Sequence, residues 1–491
     1  MRVFVFLFLI LSSFLSAAQE PTLTLPENED FVKSDAFFAI PNDQEQEFAS
    51  VIIKNNTITA LQVDATYQVK NQLTIDYNAN SGRELVEKAY INNTYTLYFL
   101  HEEDKMLDIL TFDFDNNTSN TTYIEIPIAK KTFIQSLRVS GGTSNDSYER
   151  NLSRNNEYFL QAFTYTTNFY LINILLKSST LVIYQIDAEN NVSRKEVVLP
   201  DYFRDEKRRE SNLYSNMLFT NDFHFSIPKI TNVFPTPSSA SGHFSKIYLN
   251  DSVLTLTTDG NPLFTYIVTV DLNTFEGDVT AFAKRALGNS SLVTRTNSFL
   301  DGDTIYMLST NANELYIDLW NVRERKKIKE ISFNKKEDLF FENPTIDTTL
   351  TKEDQYALLK TKKTLKNNTR GTKGISVKEI DDTFLIVIGA TRALASESGL
   401  LSPVEFNGAG ILLPPLMSYT DLATRNEIHA YFDKDFNFIS KPLEPSIFAS
   451  LGAISQKADF KKINAFFKVK DEYVYGYLNI KTGEISFYSG R

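Results

Sequence analysis

The sequence predicts an all-β protein, and within that class a β-propeller of about seven four-stranded blades. Apolar and polar residues alternate over runs of five to nine residues, which is the period of β-strands. Asn, Asp, Gly and Lys separate the runs, as hairpin turns require. Four such runs form a unit of about 45 residues that returns along the chain. The alternative fold is a pair of β-sandwich or barrel domains.

A single four-stranded sheet of this kind has two apolar faces and cannot bury both by itself. Packing the sheets face to face around an axis buries both faces, and closing the ring removes the exposed ends. The clearest units cover residues 85–128, 157–200, 244–283 and 292–333. Two less regular units follow, at 374–445 and 446–490. Near the start, residues 48–78 supply three strands, and a fourth strand comes either from Asp35–Ile40 or from elsewhere.

Three segments interrupt the repeats, near residues 201–242, 334–371 and 393–424. Residues 201–220 and 351–368 carry charged residues with apolar ones near helical spacing, which predicts a short helix in each. The second of these starts with Thr351 and Asp354, a pattern like a capping box. Insertions between propeller blades often carry the function, because loops tolerate change while the sheets do not.

The first residues predict export. Arg2 supplies a positive charge, Val3–Leu15 form a short apolar stretch, and small residues follow at 16–18. This pattern is typical of a signal peptide spanning residues 1–18, with cleavage between Ala18 and Gln19. Residues 19–491 would then form a single propeller domain, and no later stretch reaches the roughly 20 apolar residues of a membrane helix.

Composition narrows the classes of function. The chain has no cysteine, so no disulfide can stabilise it and no lipid can be attached to a cysteine after the signal peptide. A formal charge of −11 argues against nucleic-acid binding, which needs a basic surface. About ten Asn-x-Ser/Thr sequons occur, as an Asn- and Thr-rich chain produces by chance. A eukaryotic secreted glycoprotein is the alternative interpretation of the sequons Asn55, Asn92, Asn120, Asn151, Asn191, Asn250, Asn289 and Asn367.

No motif predicts catalysis, a metal site or a cofactor. The four histidines have no metal-binding spacing: His429 lies in an apolar strand, and His101 begins an acidic turn expected to be solvated. The stretch from Asp113 to Asn117 resembles the start of a calcium loop but lacks the required glycine, so we expect a polar hairpin turn. Asp301–Asp303 is likewise expected to be a turn.

Other chemical signatures are also absent from the sequence, which contains no GxSxG nucleophile motif and no phosphate-binding loop. The glycine-rich stretch Ser140–Asp146 is expected to be a loop. Trp320 and Tyr419 are aromatic residues of the type that sugar sites use, although packing is the simpler interpretation of both.

The signal peptide, the repeat cadence and the segments TFLIVIGATR (383–392) and HAYFDKDFNFI (429–439) resemble uncharacterised, cysteine-free exported proteins of Bacteroidetes-type bacteria. This resemblance implies a periplasmic or extracellular address and no particular activity. We therefore expect a non-catalytic binding or scaffold propeller of the cell envelope, whose partner is an envelope protein or a glycan. The alternative is a glycan-active hydrolase or lyase with acidic residues in the funnel at the propeller axis.

Overall fold

A computed structural model describes residues 21–79, 83–101, 106–126, 157–200, 202–205, 207–218, 227–231, 236, 238–287, 295–334, 343–344, 365, 372–380, 382–392, 424–439 and 462–490. The proposed cleavage pair Ala18 and Gln19 lies outside these ranges, and so do Tyr419 and residues 140–146. The insertions at 334–371 and 393–424 lie almost entirely outside them as well.

The described strands form seven separate sheets, each built mainly from four antiparallel strands joined in chain order. A short strand β1 (Leu23–Leu25) and a 3₁₀ turn (Glu29–Phe31) precede them. Sheet 1 contains β2 (Ala36–Asn42), β3 (Glu47–Lys54), β4 (Thr57–Val63) and β5 (Val69–Asp76). Sheet 2 contains β6 (Arg83–Ile91), β7 (Thr94–His101), β8 (Met106–Asp113) and β9 (Thr118–Glu125). Sheet 3 contains β10 (Glu157–Tyr165), β11 (Asn168–Leu175), β12 (Thr180–Ile186) and β13 (Val192–Val198).

Two short helices, α1 (Leu213–Leu218) and α2 (Ser238–Ser241), follow sheet 3, with a two-residue strand β14 (Lys229–Ile230) between them. Sheet 4 adds β15 (Ser245–Asn250), β16 (Val253–Thr258), β17 (Phe264–Asp271) and β18 (Glu276–Ala283) to β14. Sheet 5 contains β19 (Arg295–Asp301), β20 (Thr304–Thr310), β21 (Glu314–Asn321) and β22 (Lys326–Asn334). Sheet 6 contains β23 (Asn343–Pro344), β24 (Thr372–Ile380), β25 (Thr383–Arg392), β26 (Thr424–Phe432) and β27 (Phe438–Ile439), and sheet 7 contains β28 (Lys462–Val469), β29 (Glu472–Asn479) and β30 (Ile485–Gly490).

The outer strand of sheet 7 is β1, from the other end of the described chain. β1 pairs antiparallel with β30, with Leu23 opposite Phe487 and Leu25 opposite Ile485. Two further backbone hydrogen bonds extend this closure: the Asn28 amide donates to the Thr482 carbonyl, and the Lys33 amide donates to the Ile480 carbonyl. This pairing could not be predicted, because a run of three residues carries too little periodicity to be recognised as a strand.

From sheet 7 through sheet 1 to sheet 6, neighbouring sheets pack face to face through aromatic and aliphatic side chains. The ring pairs that mark successive interfaces are Phe48–Phe467 (sheets 7 and 1, 4.7 Å), Tyr98–Phe169 (sheets 2 and 3, 4.2 Å), Tyr248–Phe299 (sheets 4 and 5, 6.0 Å) and Tyr306–Phe436 (sheets 5 and 6, 5.9 Å). Buried clusters also join sheets 1 and 2, and sheets 3 and 4. A single closed series of stacked sheets is a β-propeller of seven blades, which confirms the predicted fold and excludes two separate sandwiches.

The innermost full strand of each sheet lies at the axis, and it is the first long strand of that sheet in chain order. These strands are largely buried and contact one another between neighbouring sheets, as β28, β2, β6 and β10 do in succession. The fourth strands, such as β5 and β9, are mostly exposed. Because the strands are antiparallel, the turn after the first strand and the turn after the third strand lie at the same end of each sheet. That end of the ring is called the turn face below.

Candidate functional site

The axial side of sheet 4 carries an additional strand that comes from the insertion at 201–242. β14 pairs in parallel with β15, the first strand of sheet 4, and therefore lies closer to the axis than any strand of that sheet. The Ile247 amide donates to the Pro228 carbonyl at 3.0 Å, which fixes the register of the pairing. Residues 227–231, called the axial segment below, thus lie on the axial side of β15.

Side chains from two other sheets hold the axial segment. The Lys229 ammonium group contacts the Glu87 carboxylate of β6 at 2.5 Å, and the Gln161 amide of β10 donates to the Ile227 carbonyl at 3.0 Å. Ile230 is buried in the apolar cluster shared by sheets 4 to 6. Sheets 2 and 3 therefore contact the axial segment in addition to sheet 4, with which β14 pairs.

Described residues later in the insertion contact two further sheets. Helix α2 packs against β24 and β25 of sheet 6. The Asn297 side-chain amide of β19 then donates to the carbonyl groups of Gly242 and His243, at 3.1 and 3.3 Å. The described residues of the insertion therefore contact sheets 2 to 6, and the axial segment lies on the axial side of sheet 4.

A cluster of buried charged side chains lies between sheets 4 and 5. Asp259 lies between two lysines, with its carboxylate oxygens 3.9 Å from the Lys246 nitrogen and 3.7 Å from the Lys284 nitrogen. The carboxylate also accepts hydrogen bonds from the Thr265 hydroxyl at 2.5 Å and the Ser298 hydroxyl at 2.7 Å. The exposed fraction of the Lys246 and Asp259 side chains is 0%. We name these groups the ionic cluster.

Burial lowers the pKa of both lysines of the ionic cluster, that of Lys246 to about 8, although Asp259 acts in the opposite direction. Each ammonium group nevertheless has protein acceptors. Lys246 donates to the Asn297 amide oxygen at 3.1 Å, and Lys284 donates to the carbonyls of Asp259 and Asn261 at 2.6 and 2.8 Å. Fully enclosed lysines with these partners hold two sheets together.

Lys88 is another buried lysine near the axis whose ammonium group contacts groups of the protein itself. The Lys88 ammonium group of β6 donates to the Ala39 carbonyl at 2.8 Å and lies 4.7 Å above the Phe38 ring. Burial lowers the pKa of Lys88 to about 8, and the Glu87 carboxylate opposes that shift. The cationic groups beside the axis are thus bound to carbonyls, carboxylates and rings of the protein itself.

The residues singled out from the sequence are dispersed over the fold. The Asp113 carboxylate accepts hydrogen bonds from the backbone and side-chain amides of Asn116, which confirms a hairpin turn and lowers the pKa of Asp113. The Asp301–Asp303 stretch is the turn between β19 and β20, with Gly302 at φ 54°. Trp320 packs on Phe282 at 5.8 Å, inside the interface between sheets 4 and 5.

The histidines do not come together. His101 ends β7 and is half-buried instead of solvated, because Arg83 and Met106 lie opposite it on the two adjacent strands. The backbone of His429 lies in β26 opposite Val387, in agreement with a strand residue. His224 lies outside the described residues. In the ranges that the structure describes, no three His, Asp or Glu side chains form a group able to hold a metal ion.

An open pocket lies on the turn face, at the junction where sheets 7 and 1 close the ring. It has a volume of about 330 Å³ and is lined by the first turn of sheet 1, the third turn of sheet 1 and the first turn of sheet 7. Phe48 and Tyr67 form an aromatic wall, with their ring centres 6.2 Å apart. Asp64, Asp471 and Glu472 supply carboxylates. This feature is called the closure pocket below.

Hydrogen bonds orient the polar groups of the closure pocket. The Tyr67 hydroxyl donates to the Glu472 carboxylate at 3.2 Å, and burial raises the pKa of Tyr67 to about 12. One oxygen of Asp64 accepts hydrogen bonds from the backbone amides of Thr66 and Gln68, each at 2.9 Å, and the Gln68 amide in particular lowers the pKa of Asp64. Glu472 is therefore held across the closure by Tyr67, and Asp64 is held by the backbone of its own turn.

The sequence could not predict the axial segment or the closure pocket. Glu87 and Lys229 are 142 residues apart, and Tyr67 and Glu472 are 405 residues apart. Only the closed ring brings these residues together. The one local signal is the irregular insertion at 201–242, where the sequence predicts a short helix and where a functional loop is expected. Helix α1 forms there.

No helix among the described residues is long and apolar enough to cross a bilayer.

Comparisons with known proteins give structural likenesses only. No family model and no curated protein matches the sequence. The β-propeller domain of the Trilobed protease from Pyrococcus furiosus is 9% identical over 93% of both chains, with a TM-score of 0.32. A mutant apocarotenoid oxygenase from Synechocystis is 10% identical, with a TM-score of 0.30, and the match spans about three fifths (61%) of each chain. A protein from Lactobacillus plantarum is 11% identical over 75% of this chain and 83% of its own, with a TM-score of 0.28. Likenesses at this level carry no argument about activity.

Proposed function

We propose that this chain is an exported, non-catalytic binding or scaffold propeller of the cell envelope. The single observation that carries the proposal is the axial segment. In a propeller the axial funnel is the concave place where a substrate would be enclosed, and here Lys229 and Ile230 form a strand on the axial side of sheet 4, in a segment that sheets 2 and 3 also contact. The signal-like residues 1–18 support export to the envelope.

The chemistry near the axis also supports binding over catalysis. A general acid or base has to reach a substrate, whereas the ionic cluster is fully enclosed and its donors are bound to protein oxygens. The closure pocket, in contrast, is open to solvent and lies on an end of the ring. We therefore place the working surface on the turn face and give the axial segment a structural role.

The experiment is isolation of the tagged chain from cells in which it is native, followed by native mass spectrometry. The expected result is a complex of fixed stoichiometry with a protein or glycan partner of the envelope. A chain that is always recovered alone would overturn the proposal. Release of oligosaccharides from envelope polysaccharide by the purified chain would favour the glycan-active alternative, provided that the variant Glu87→Gln loses that release.

A further inference from the structure

We propose that the closure pocket binds a protonated amine or a guanidinium group, between its aromatic wall and its carboxylates. The inference deepens the proposed binding function and rests on it, because it names the chemical class that the working surface recognises. The pocket lining contains three acidic side chains, Asp64, Asp471 and Glu472, and one basic side chain, Lys470. Its formal charge is therefore −2.

The aromatic wall makes the site different from an ordinary acidic surface. Phe48 is buried and fixed by Phe467 at 4.7 Å and by Phe487 at 5.2 Å, so the wall cannot move away when a ligand enters. Tyr67 packs edge-on against Phe48 and orients Glu472 through its hydroxyl group. An organic cation is attracted both to the face of an aromatic ring and to a carboxylate, so this combination favours a cation over a neutral ligand.

The test is a binding titration of the full chain at low ionic strength, where surface charges are least screened. The probes are a labelled Gly-Lys-Gly-Lys-Gly peptide, the same peptide with Glu in place of Lys, and spermidine. We expect the lysine peptide to bind and the glutamate peptide not to bind. Competition by spermidine at equal affinity would identify a free organic cation as the ligand, and peptide-only binding would identify a basic side chain of a partner.

Two pairs of variants make the test specific. The double variant Asp471→Asn/Glu472→Gln keeps the acceptor for the Tyr67 hydroxyl but removes two charges, and we expect about tenfold weaker binding. The matched control Asp251→Asn/Glu276→Gln removes two exposed charges from the turns of sheet 4, on the same face of the ring, and should change affinity by less than about twofold. Tyr67→Phe keeps the ring and should retain binding, whereas Tyr67→Leu should lose about threefold to fivefold.

Equal losses in the pocket and control double variants would overturn the inference, and so would the absence of binding by both cations. The outcome is distinguishable from the fate of the proposed function. A native complex whose recovery is unaffected by the pocket variants would leave the binding function intact and reject this pocket as its site. Cation binding by a chain that is always recovered alone would support the pocket as a cation site and reject the proposed binding to an envelope partner.

Discussion

The interface that closes the ring, between sheets 7 and 1, and the interface between sheets 4 and 5 join the same kind of sheets with different chemistry. At the closure, Phe48 contacts Phe467 and Phe487, and the polar groups lie outside, in the closure pocket. Between sheets 4 and 5, apolar packing is supplemented by Lys246, Asp259 and Lys284, all buried.

The difference follows from where the chain is continuous. Sheets 4 and 5 are consecutive in sequence, so the connection between them keeps the partners of the ionic cluster close before the cluster is desolvated. Sheets 7 and 1 lie at opposite ends of the described chain and meet only when the ring closes. Apolar contacts are non-directional and tolerate an approximate first encounter, whereas a buried ion pair is favourable only in good geometry. Aromatic packing therefore suits the interface that forms last, because it does not depend on precise geometry when the ends of the ring first meet.

The largest effect is expected where the ionic cluster loses its anion. In Asp259→Asn the two buried lysines lose their counter-charge, so that they must either stay charged without a partner or release protons, which costs about 3–5 kcal/mol. The measurement is the free energy of unfolding from guanidinium titration. Asp251→Asn, at an exposed turn of the same sheet, is the control and should leave stability almost unchanged. A loss below about 1 kcal/mol in Asp259→Asn would show that the cluster contributes little.

A somewhat smaller loss is expected at the closure in Gly483→Ala. Gly483 has φ +75°, and a Cβ there would lie 1.9 Å from the Asn28 carbonyl oxygen. The substitution therefore strains the backbone and displaces the segment that brings β1 to β30, at a cost of about 2–4 kcal/mol. Gly302→Ala has a similar backbone strain, with φ +54°, but no atom within 4 Å of the added Cβ, and isolates the steric part. Equal losses in the two variants would disprove a specific role for the Asn28 contact.

The pH dependence of stability should distinguish the two interfaces. Lys246 has a pKa of about 8 in the folded state and 10.5 as its ordinary value, so the unfolded chain binds more protons between these values. Stability should therefore rise with pH through this window, with a contribution on the order of 2 kcal/mol between pH 7 and 9.5.

The readout is the difference in unfolding free energy between the native chain and Lys246→Met at each pH. We expect that this difference changes steadily above pH 7.5, because only the native chain contains the titrating group. Tyr67→Phe, at the closure, serves as the control and should follow the native profile up to pH 9.5, since the pKa of Tyr67 is raised to about 12. Parallel profiles for the native chain and Lys246→Met would contradict the account of the ionic cluster.

The smallest effect is expected at an exposed ion pair that belongs to neither interface. The Lys434 ammonium group lies 2.6 Å from Asp382, and the two side chains are 64% and 86% exposed. Solvent screens such a pair, so Asp382→Asn should leave the melting temperature unchanged within error. A clear decrease would mean that surface charges contribute to stability as the ionic cluster does, which would remove the contrast between the interfaces.

Most of the framework could be predicted from the sequence, and the contacts that close it could not. The unit at 85–128 reappears as β6 to β9 because alternating residues and turn residues are local signals. Asp35–Ile40, one of two alternatives for the missing strand of the first unit, overlaps the observed β2. The two-residue strand β14 and the three-residue β1 are too short for any periodicity, and both depend on partners far away in sequence.

The candidate sites escaped prediction for a related reason. Asp64 and Tyr67 look like an ordinary polar turn, and Asp471 and Glu472 look like another. Their joint chemistry exists only after β1 pairs with β30 and sheet 7 packs on sheet 1. The ionic cluster was hidden in the same way, because each of its three residues lies in a different part of sheet 4.

The most direct test of whether β1 closes a seven-bladed ring is disulfide crosslinking between introduced cysteines, because the chain has no cysteine of its own. Thr24 and Ser486 are opposite each other in the β1–β30 pairing, and their hydroxyl oxygens are 3.4 Å apart. In Thr24→Cys/Ser486→Cys we expect quantitative formation of an intramolecular disulfide under mild oxidation, seen as faster migration on a non-reducing gel and as a loss of about 2 Da in mass. Free thiols that persist under the same oxidation, or covalent dimers in place of the internal bond, would contradict it.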